Sequence, residues 1–274
     1  MAPLKSENRN KVDVTHLEKV PKTLLLTLKA KFEASIDPSL SYSDSYIETI
    51  YRLINDPIKK THLFFLLKKG IILRTKGIDY LLKKEIRERE EGSTVINLAC
   101  GLDTRFERMR EKFQFQKWFD CDLPQVIEVR KIFFEESLEN KMTAFDILDE
   151  SWPLNFKGVN DPIIIVEGLT MYLDEEKIKK FFSILNKYFS HYSLILDFMS
   201  PFFIKKEWMM PVMEQFDVNF TWGASSPEEF CKYELRLKVK DSLGFMDGFR
   251  HQVFKTPFFN SFRKKKNLAL LRKD

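Results

Sequence analysis

The spacing of hydrophobic positions changes near Gly92. Upstream, apolar residues recur at helical intervals: Leu24, Leu25 and Leu28 open a stripe after Pro21, and Ile78, Leu81, Leu82 and Ile86 form another before the charged run 87–91. Downstream, short β-rich runs alternate with helical stripes. Residues 94–100 (TVINLAC) show little alternation, as a strand buried on both faces requires. A helix carrying Phe106, Met109 and Phe113 should follow, then a second strand at 117–123 and a helix opened by Pro124 with Val126, Val129 and Phe133 inward. A weaker third strand falls at 142–147, and 162–168 (PIIIVEG) is the strongest, fit for the sheet centre. Asp174 is positioned to cap a helix whose buried stripe is Ile178, Phe181, Phe182, Leu185, Tyr188 and Phe189, and 193–199 is the fifth strand.

Repeated strand-then-helix units with right-handed crossovers predict an α/β fold, a doubly wound and mostly parallel sheet. Two tail segments, 235–243 and 267–273, bring the expected strand count to seven. The texture divides the chain into an N-terminal helical cap, 1–92, and an α/β core, 93–274, with an inserted lid at about 201–225 rich in Phe, Met and Trp.

The chain has 274 residues, 44% hydrophobic and 14% aromatic, which supports a sizeable core and excludes wholesale disorder. Lysine and arginine number 45 against 40 acidic residues, a formal charge of +5 that is too mild for a nucleic-acid footprint. Apolar runs such as 63–67 and 163–166 fall far short of the roughly 18 residues of a membrane span, and residues 1–10 lack a signal-peptide core. A soluble, cytoplasmic protein is expected. Cys100, Cys121 and Cys231 form neither a CxxC pair nor a metal-site spacing with the four histidines, so no metal site is indicated.

In open α/β sheets ligands bind beyond the carboxyl ends of the strands. The first such end reads NLACGLDTR (97–105). Gly101 lets backbone approach a ligand closely, but the three-glycine dinucleotide fingerprint is missing. Asp103 sets a carboxylate near a helix N-terminus, where a pyrophosphate would be repelled. A cationic ligand without phosphates suits the turn better, and S-adenosylmethionine is one; an ordinary turn with Asp103 as a solvated cap is the plain alternative. Asp122 stands at the distance from Gly101 expected of an acid that holds a ribose diol, and Asp120, on the same strand face, could share or replace that role. Asp146 ends the third strand, where it either meets an adenine amino group or merely forms a turn. Glu167 closes a run of β-branched residues; a carboxylate at the mouth of a central strand is costly unless it finds a cation or donors.

VINLACGLDTR (95–105), WFDCDLPQVIEVR (118–130), DILDESW (146–152), VEGLTMYL (166–173) and RTKGID (74–79) occur in a pattern that resembles the leucine carboxyl methyltransferase-like family, which includes tetracenomycin-type polyketide O-methyltransferases. A looser match, 21–33, extends into the cap. The resemblance implies a Rossmann-like class I methyltransferase fold that uses S-adenosylmethionine. Carried over by motif, Arg74 would clamp the methionine carboxylate, the Gly101 turn would lie under the ligand, Asp122 would hold the ribose, Asp146 would approach the adenine and Glu167 would face the methionine ammonium. Ala99, Asp103, Leu123 and Ile147 complete the implied cofactor site. Two positions depart from the family: Ala99 stands where glycine is usual, and Lys31 where arginine is usual, and a lysine lacks the bidentate fork.

Methyl transfer from a sulfonium needs alignment and electrostatics more than a nucleophile from the protein. A carboxylate acceptor requires no general base, whereas a phenol, with a pKa near 10, would profit from one. His16 and His62 in the cap and Tyr172 are the candidates, each with structural packing as its alternative; His191 should fall at the wrong end of a strand. Phe202, Phe203, Trp208, Met209, Met210, Met213, Phe216, Phe220 and Trp222 could shape an apolar lid or pack in the core. The expected acceptor is a small hydrophobic acid or phenol. A protein C-terminus, a nucleic acid (suggested by Arg263 to Lys266, but lacking the base-methylation motif) and a non-catalytic cofactor-binding role are the rival readings.

Overall fold

The computed structural model describes residues 11–14, 16–17, 19–55, 58, 64–89, 92–204, 211–244 and 265–274. Seven strands form one sheet in the order β3-β2-β1-β4-β5-β7-β6: β1 (Ser93–Leu98), β2 (Phe115–Asp122), β3 (Asn140–Ala144), β4 (Ile163–Val166), β5 (Tyr192–Asp197), β6 (Leu237–Leu243) and β7 (Leu268–Lys273). β1 to β5 are mutually parallel, while β7 runs antiparallel to both its neighbours. The expected doubly wound sheet is therefore present, tail strands included. β1, β4 and β5 are buried at every position, which is why their sequences show no alternation.

Each sheet face buries one residue parity. Ile96, Leu98, Ile164, Val166, Leu194 and Leu196 share a cluster with Ile178, Phe181, Phe182 and Leu185 of α7 (Glu175–Tyr188), whose N-cap Asp174 accepts from the Lys177 amide at 2.9 Å. On the other face, Val95, Ile163, Ile165, Ile195 and Leu270 meet Ile78, Leu81, Leu82 and Ile86. Those four come from α4 (Phe64–Arg87), which thus leaves the N-terminal helical region to cover the sheet. α1 (Lys19–Lys22), α2 (Leu24–Ser35) and α3 (Ser45–Leu53) lie over the strand ends, where Leu24 to Leu28, Ile47 and Ile50 join Val126, Val129 and Phe133 of α6 (Pro124–Phe133).

The helix after β1 is shorter than its spacing suggested. α5 spans only Arg105–Met109, and Phe113 lies beyond it, packed against the same cluster as Phe106 and Met109. β2 begins at Phe115, so the chain must leave the helix to enter the sheet.

Described residues of the segment expected as a lid take part in packing. After α8 (Pro201–Ile204), Met213 and Phe216 join the cluster under α2, and Trp222 packs edge-on to Phe230 with centroids 5.4 Å apart. Gly223 makes this possible, because a Cβ there would lie 2.5 Å from the Met199 carbonyl oxygen. Phe202 and Phe203 are half-buried, and Trp208, Met209 and Met210 lie outside the described residues. Among the described residues no helix is long and apolar enough to cross a membrane.

Register positions the functional rim. Leu98 pairs with Cys121 on one side and Val166 on the other, and Val166 pairs with Leu196. The next residue of each strand, Ala99, Asp122, Glu167 and Asp197, therefore falls in one row along the carboxyl edge. The chain winds in opposite directions on either side of β1, so this row crosses the topological switch point.

Candidate functional site

A cavity of about 300 Å³ opens above that row. Arg74, Ala99, Gly101, Asp103, Asp122, Leu123, Asp146, Ile147 and Glu167 all line it, and so does Tyr172. The cap supplies its apolar roof through Val20, Leu24, Leu28 and Ile47. Strand ends and cap thus meet around a single space, although the residues come from distant parts of the chain.

The turn after β1 is held in a costly shape. Ala99 has φ +51° and Gly101 φ +51°, both in the left-handed region. Gly101 adopts it freely, but Ala99 does so at a cost of about 1–2 kcal/mol. The Gly101 amide donates to Asp122 Oδ2 at 2.8 Å, and the Leu123 amide donates to Oδ1 at 2.7 Å. Burial pushes the Asp122 carboxyl up to about 6 against the pull of those amides. Asp146 both lines the cavity and forms a turn, its Oδ1 accepting from the Leu148 amide at 2.9 Å.

Asp120 does not line the cavity with Asp122. It is 1% exposed and lies level with Asn97 inside the sheet, where Arg130 Nη2 donates to it at 2.7 Å, Asn97 Nδ2 at 3.0 Å and Trp118 Nε1 at 2.9 Å. Two residues along a strand span about 7 Å, enough to move a side chain from the rim to the interior.

Glu167 finds the cations that its burial demands. Arg105 Nη2 donates to Oε2 at 2.6 Å, while Arg74 Nε and Thr75 Oγ1 both donate to Oε1 at 3.1 Å. Burial opposes its ionisation, but Lys31, Arg105 and Arg74 outweigh burial and hold the carboxyl well below the usual carboxylate range. Arg105 is the hub: fully buried, it also donates through Nε to Asp79 at 2.7 Å and through Nη1 to Asp103. Arg108 bridges Asp79 to Asp44, Lys31 Nζ donates to Asp103 at 3.3 Å, and Arg74 Nη1 donates to Asp197 at 3.4 Å. Asp197 Oδ1 in turn accepts from the Gly168 amide at 2.6 Å. Gly168, with φ +74°, is required here twice over, since a Cβ would also crowd the Arg74 guanidinium at 3.1 Å.

Five carboxylates (Asp44, Asp79, Asp103, Glu167 and Asp197) thus face four cations (Lys31, Arg74, Arg105 and Arg108) in one connected network. One negative charge remains uncompensated, and Asp122 adds an acidic group on the opposite wall. Arg74 Nη2 has no hydrogen-bond partner among the described residues, so a donor is still available at the cavity. The arrangement favours a ligand carrying more positive than negative charge and disfavours phosphates.

Arg105, Asp79 and Asp197 do not line the cavity but hold its lining residues through the ion network, a role the strand ends alone do not reveal. Arg105 did leave a signal, for an arginine in the first turn of a helix is opposed by the helix dipole and calls for nearby acids. His16 is exposed and does not line the cavity, and His191 is exposed just before β5, at the far end of the sheet. His62 lies outside the described residues. Tyr172 packs against Phe220 at 5.4 Å between centroids, so an aromatic of the expected lid touches a cavity residue. No group of three or more potential metal ligands occurs among the described residues.

The leucine carboxyl methyltransferase family model matches residues 42–186, more than half the chain. The S-adenosyl-L-methionine-dependent methyltransferase dpfgK of Gibberella zeae is 25% identical over 258 residues, covering 86% of this chain and 85% of its own length. The tetracenomycin polyketide synthesis O-methyltransferase TcmP of Streptomyces glaucescens is 22% identical, with 86% and 87% covered. Leucine carboxyl methyltransferase 1 of Rattus norvegicus is 27% identical over 88 residues, 32% of this chain. Among solved structures, a provisionally assigned methyltransferase from Thermobifida fusca superposes with a TM-score of 0.56 at 13% identity, over 89% of this chain and 93% of its own, a likeness of fold.

Two outcomes follow from the charge network and the strained turn. Arg105→Met takes one of the cations from each of three buried carboxylates and widens the network's negative excess to two, which should cost about 3–5 kcal/mol in urea denaturation; a loss below about 1 kcal/mol would show that the network does not hold the rim together. Ala99→Gly removes the left-handed alanine and should raise stability by about 1 kcal/mol in the same measurement, whereas a loss of stability would deny the strain.

Proposed function

Since this chain belongs to the leucine carboxyl methyltransferase family, whose relatives use S-adenosylmethionine, we propose that it is an O-methyltransferase acting on a carboxylate or hydroxyl of a small hydrophobic acceptor. The single observation that carries this reading is the cavity with an acidic floor and an apolar roof. The floor fits a ligand with an ammonium and a sulfonium, because its charge network is one carboxylate in excess and Asp122 stands opposite.

Asp122 is assigned to the ribose hydroxyls, Asp146 and Ile147 to the adenine, and Glu167 to the ammonium. Arg74 is assigned to the methionine carboxylate, through the Nη2 that no described residue engages. Gly101 underlies the ligand, with Ala99, Asp103 and Leu123 along the wall. Bound there, the cofactor supplies a methyl group already activated for displacement. What remains for the protein is to align the acceptor and exclude water, a task that suits the roof of Val20, Leu24, Leu28 and Ile47.

Tyr172 is the hydroxyl beside that roof assigned to the acceptor oxygen; Thr23 and Thr27 also line it, but their hydroxyls already donate to the Val20 and Leu24 carbonyls at 2.6 and 2.8 Å. Burial raises the Tyr172 phenol above its ordinary value, so at neutral pH it serves as a hydrogen-bond donor and not as a base. A carboxylate acceptor, already ionised, needs nothing more. The small acceptor is favoured over a protein C-terminus because TcmP, an O-methyltransferase of polyketide synthesis, aligns with 86% of this chain, whereas leucine carboxyl methyltransferase 1 aligns with 32%. We assign the protein to the cytoplasm, without nucleic-acid or membrane partners; the free thiols of Cys100, Cys121 and Cys231 suit a reducing compartment.

Incubation with methyl-labelled S-adenosylmethionine and a panel of aromatic acids, aliphatic acids, phenols, a peptide ending in leucine and an oligonucleotide tests the reading. Label should enter the small acids or phenols. Label confined to the peptide or oligonucleotide, or tight cofactor binding with no transfer to any acceptor, would overturn it. A second expectation concerns pH. Asp122 takes up a proton as pH falls through about 6, so the protein should bind S-adenosylhomocysteine, whose ribose is assigned to that carboxylate, about tenfold more weakly at pH 5 than at pH 7.5. Calorimetric titration across that range checks this, and a flat profile would remove Asp122 from the ribose role.

A further inference from the structure

Against the main chain of the cofactor turn, whose Asp103 side chain Arg105 holds, lies a second guanidinium that none of the roles above uses. Arg130 of α6 is fully buried. Its Nη1 donates to the carbonyl oxygens of Gly101 at 3.1 Å and Asp103 at 2.8 Å, and its Nη2 donates to Asp120 at 2.7 Å. The guanidinium rests on the Phe134 ring, 4.1 Å from its centroid. Asp120 is itself fixed by Asn97 and Trp118, and Asn97 also reaches Asp103 Oδ2 at 3.4 Å.

We propose that Arg130 is a positioning residue for the cofactor: by gripping the carbonyls of Gly101 and Asp103 together, it imposes the left-handed turn on which the nucleoside lies. This rests on the reading of the cavity as the S-adenosylmethionine site.

Three features support a geometric role over a purely stabilising one. First, Ala99 and Gly101 both hold φ +51°, and a strained turn persists only where its surroundings over-determine it. Arg130 grips the carbonyl of Gly101 while Asp122 holds the amide of that same residue, so the turn is fixed from both sides. Second, the arrangement is a poor way to gain stability. Arg130 Nε and Glu107 Oε2 are both buried without a hydrogen-bond partner, and buried ion pairs are commonly matched or bettered by apolar residues of similar volume. Third, the grip needs a fork: one terminal nitrogen serves two carbonyls while the other serves a carboxylate. Lysine carries the charge but has a single terminal nitrogen and no planar fork.

The decisive comparison is calorimetric binding of S-adenosylhomocysteine to the full-length parent, Arg130→Lys and Arg130→Met, with melting temperatures and hydrogen exchange at residues 99–104 in ligand-free protein. Arg130→Lys keeps a charge opposite Asp120 and should melt within a few degrees of the parent. It should nonetheless bind at least about tenfold more weakly, with faster exchange confined to the turn. If Arg130→Met does not fold, Arg130→Lys alone decides. Folded variants that bind as tightly as a binding parent, or whose turn exchanges no faster, overturn this inference alone. A parent that binds no S-adenosylhomocysteine overturns the functional reading and this inference with it.

Discussion

The buried contact of Glu167 with Arg105 and Arg74 is the constraint on which the rest depends. A carboxylate at the end of a fully buried strand cannot stand alone, because burying an isolated charge is prohibitively costly. It draws in Arg105 from α5 and Arg74 from α4, and those guanidiniums draw in Asp79, Asp103 and Asp197. Each added carboxylate ties another element to the rim. The outcome is a site whose walls are fixed by charge and whose total charge stays slightly negative, so the network that holds the elements together also sets which ligand the cavity suits.

Backbone geometry makes that network possible. Level strand ends at Leu98, Cys121, Val166 and Leu196 put Ala99, Asp122, Glu167 and Asp197 in one row, and a slip of one residue in any ladder would turn its rim acid away from the cavity. Two residues pay for the close approach of chain segments: Ala99 bends back with φ +51°, and Gly168 leaves space for the Arg74 guanidinium. The roof comes from the cap helices, where Leu24 and Leu28 of α2 belong at once to the packed cluster over α6 and to the cavity wall. Packing and recognition therefore share side chains, which ties access to the cavity to the stability of the cap.

The sheet was legible in the sequence because its inner strands are uninterrupted apolar runs ending in acids, as at 162–168 and 193–199. The rim acids Asp122 and Glu167 could be read from the same ends. Their partners could not: Arg105 meets Glu167 across 62 residues and Arg74 meets Asp197 across 123, separations that no local pattern encodes. Whether Asp120 reaches the rim was not legible, because alternation identifies a strand face but not the depth along it, and at the level of Asn97 that face is already interior. The aromatic segment after β5 looked like a lid because its composition suits one, yet Trp222 is held in the core by Phe230 and by the close backbone contact at Gly223. Periodicity likewise overran at Phe113, where strand entry at Phe115 cut the helix short.

The central claim is that excess acidic charge at the rim suits the cavity to a cationic, phosphate-free nucleoside. Calorimetric titration of the unaltered protein with S-adenosylmethionine and, separately, with NAD tests it most directly. Saturable binding of one S-adenosylmethionine per chain, with no heat from NAD, is the predicted result; NAD bound as tightly as S-adenosylmethionine would contradict it.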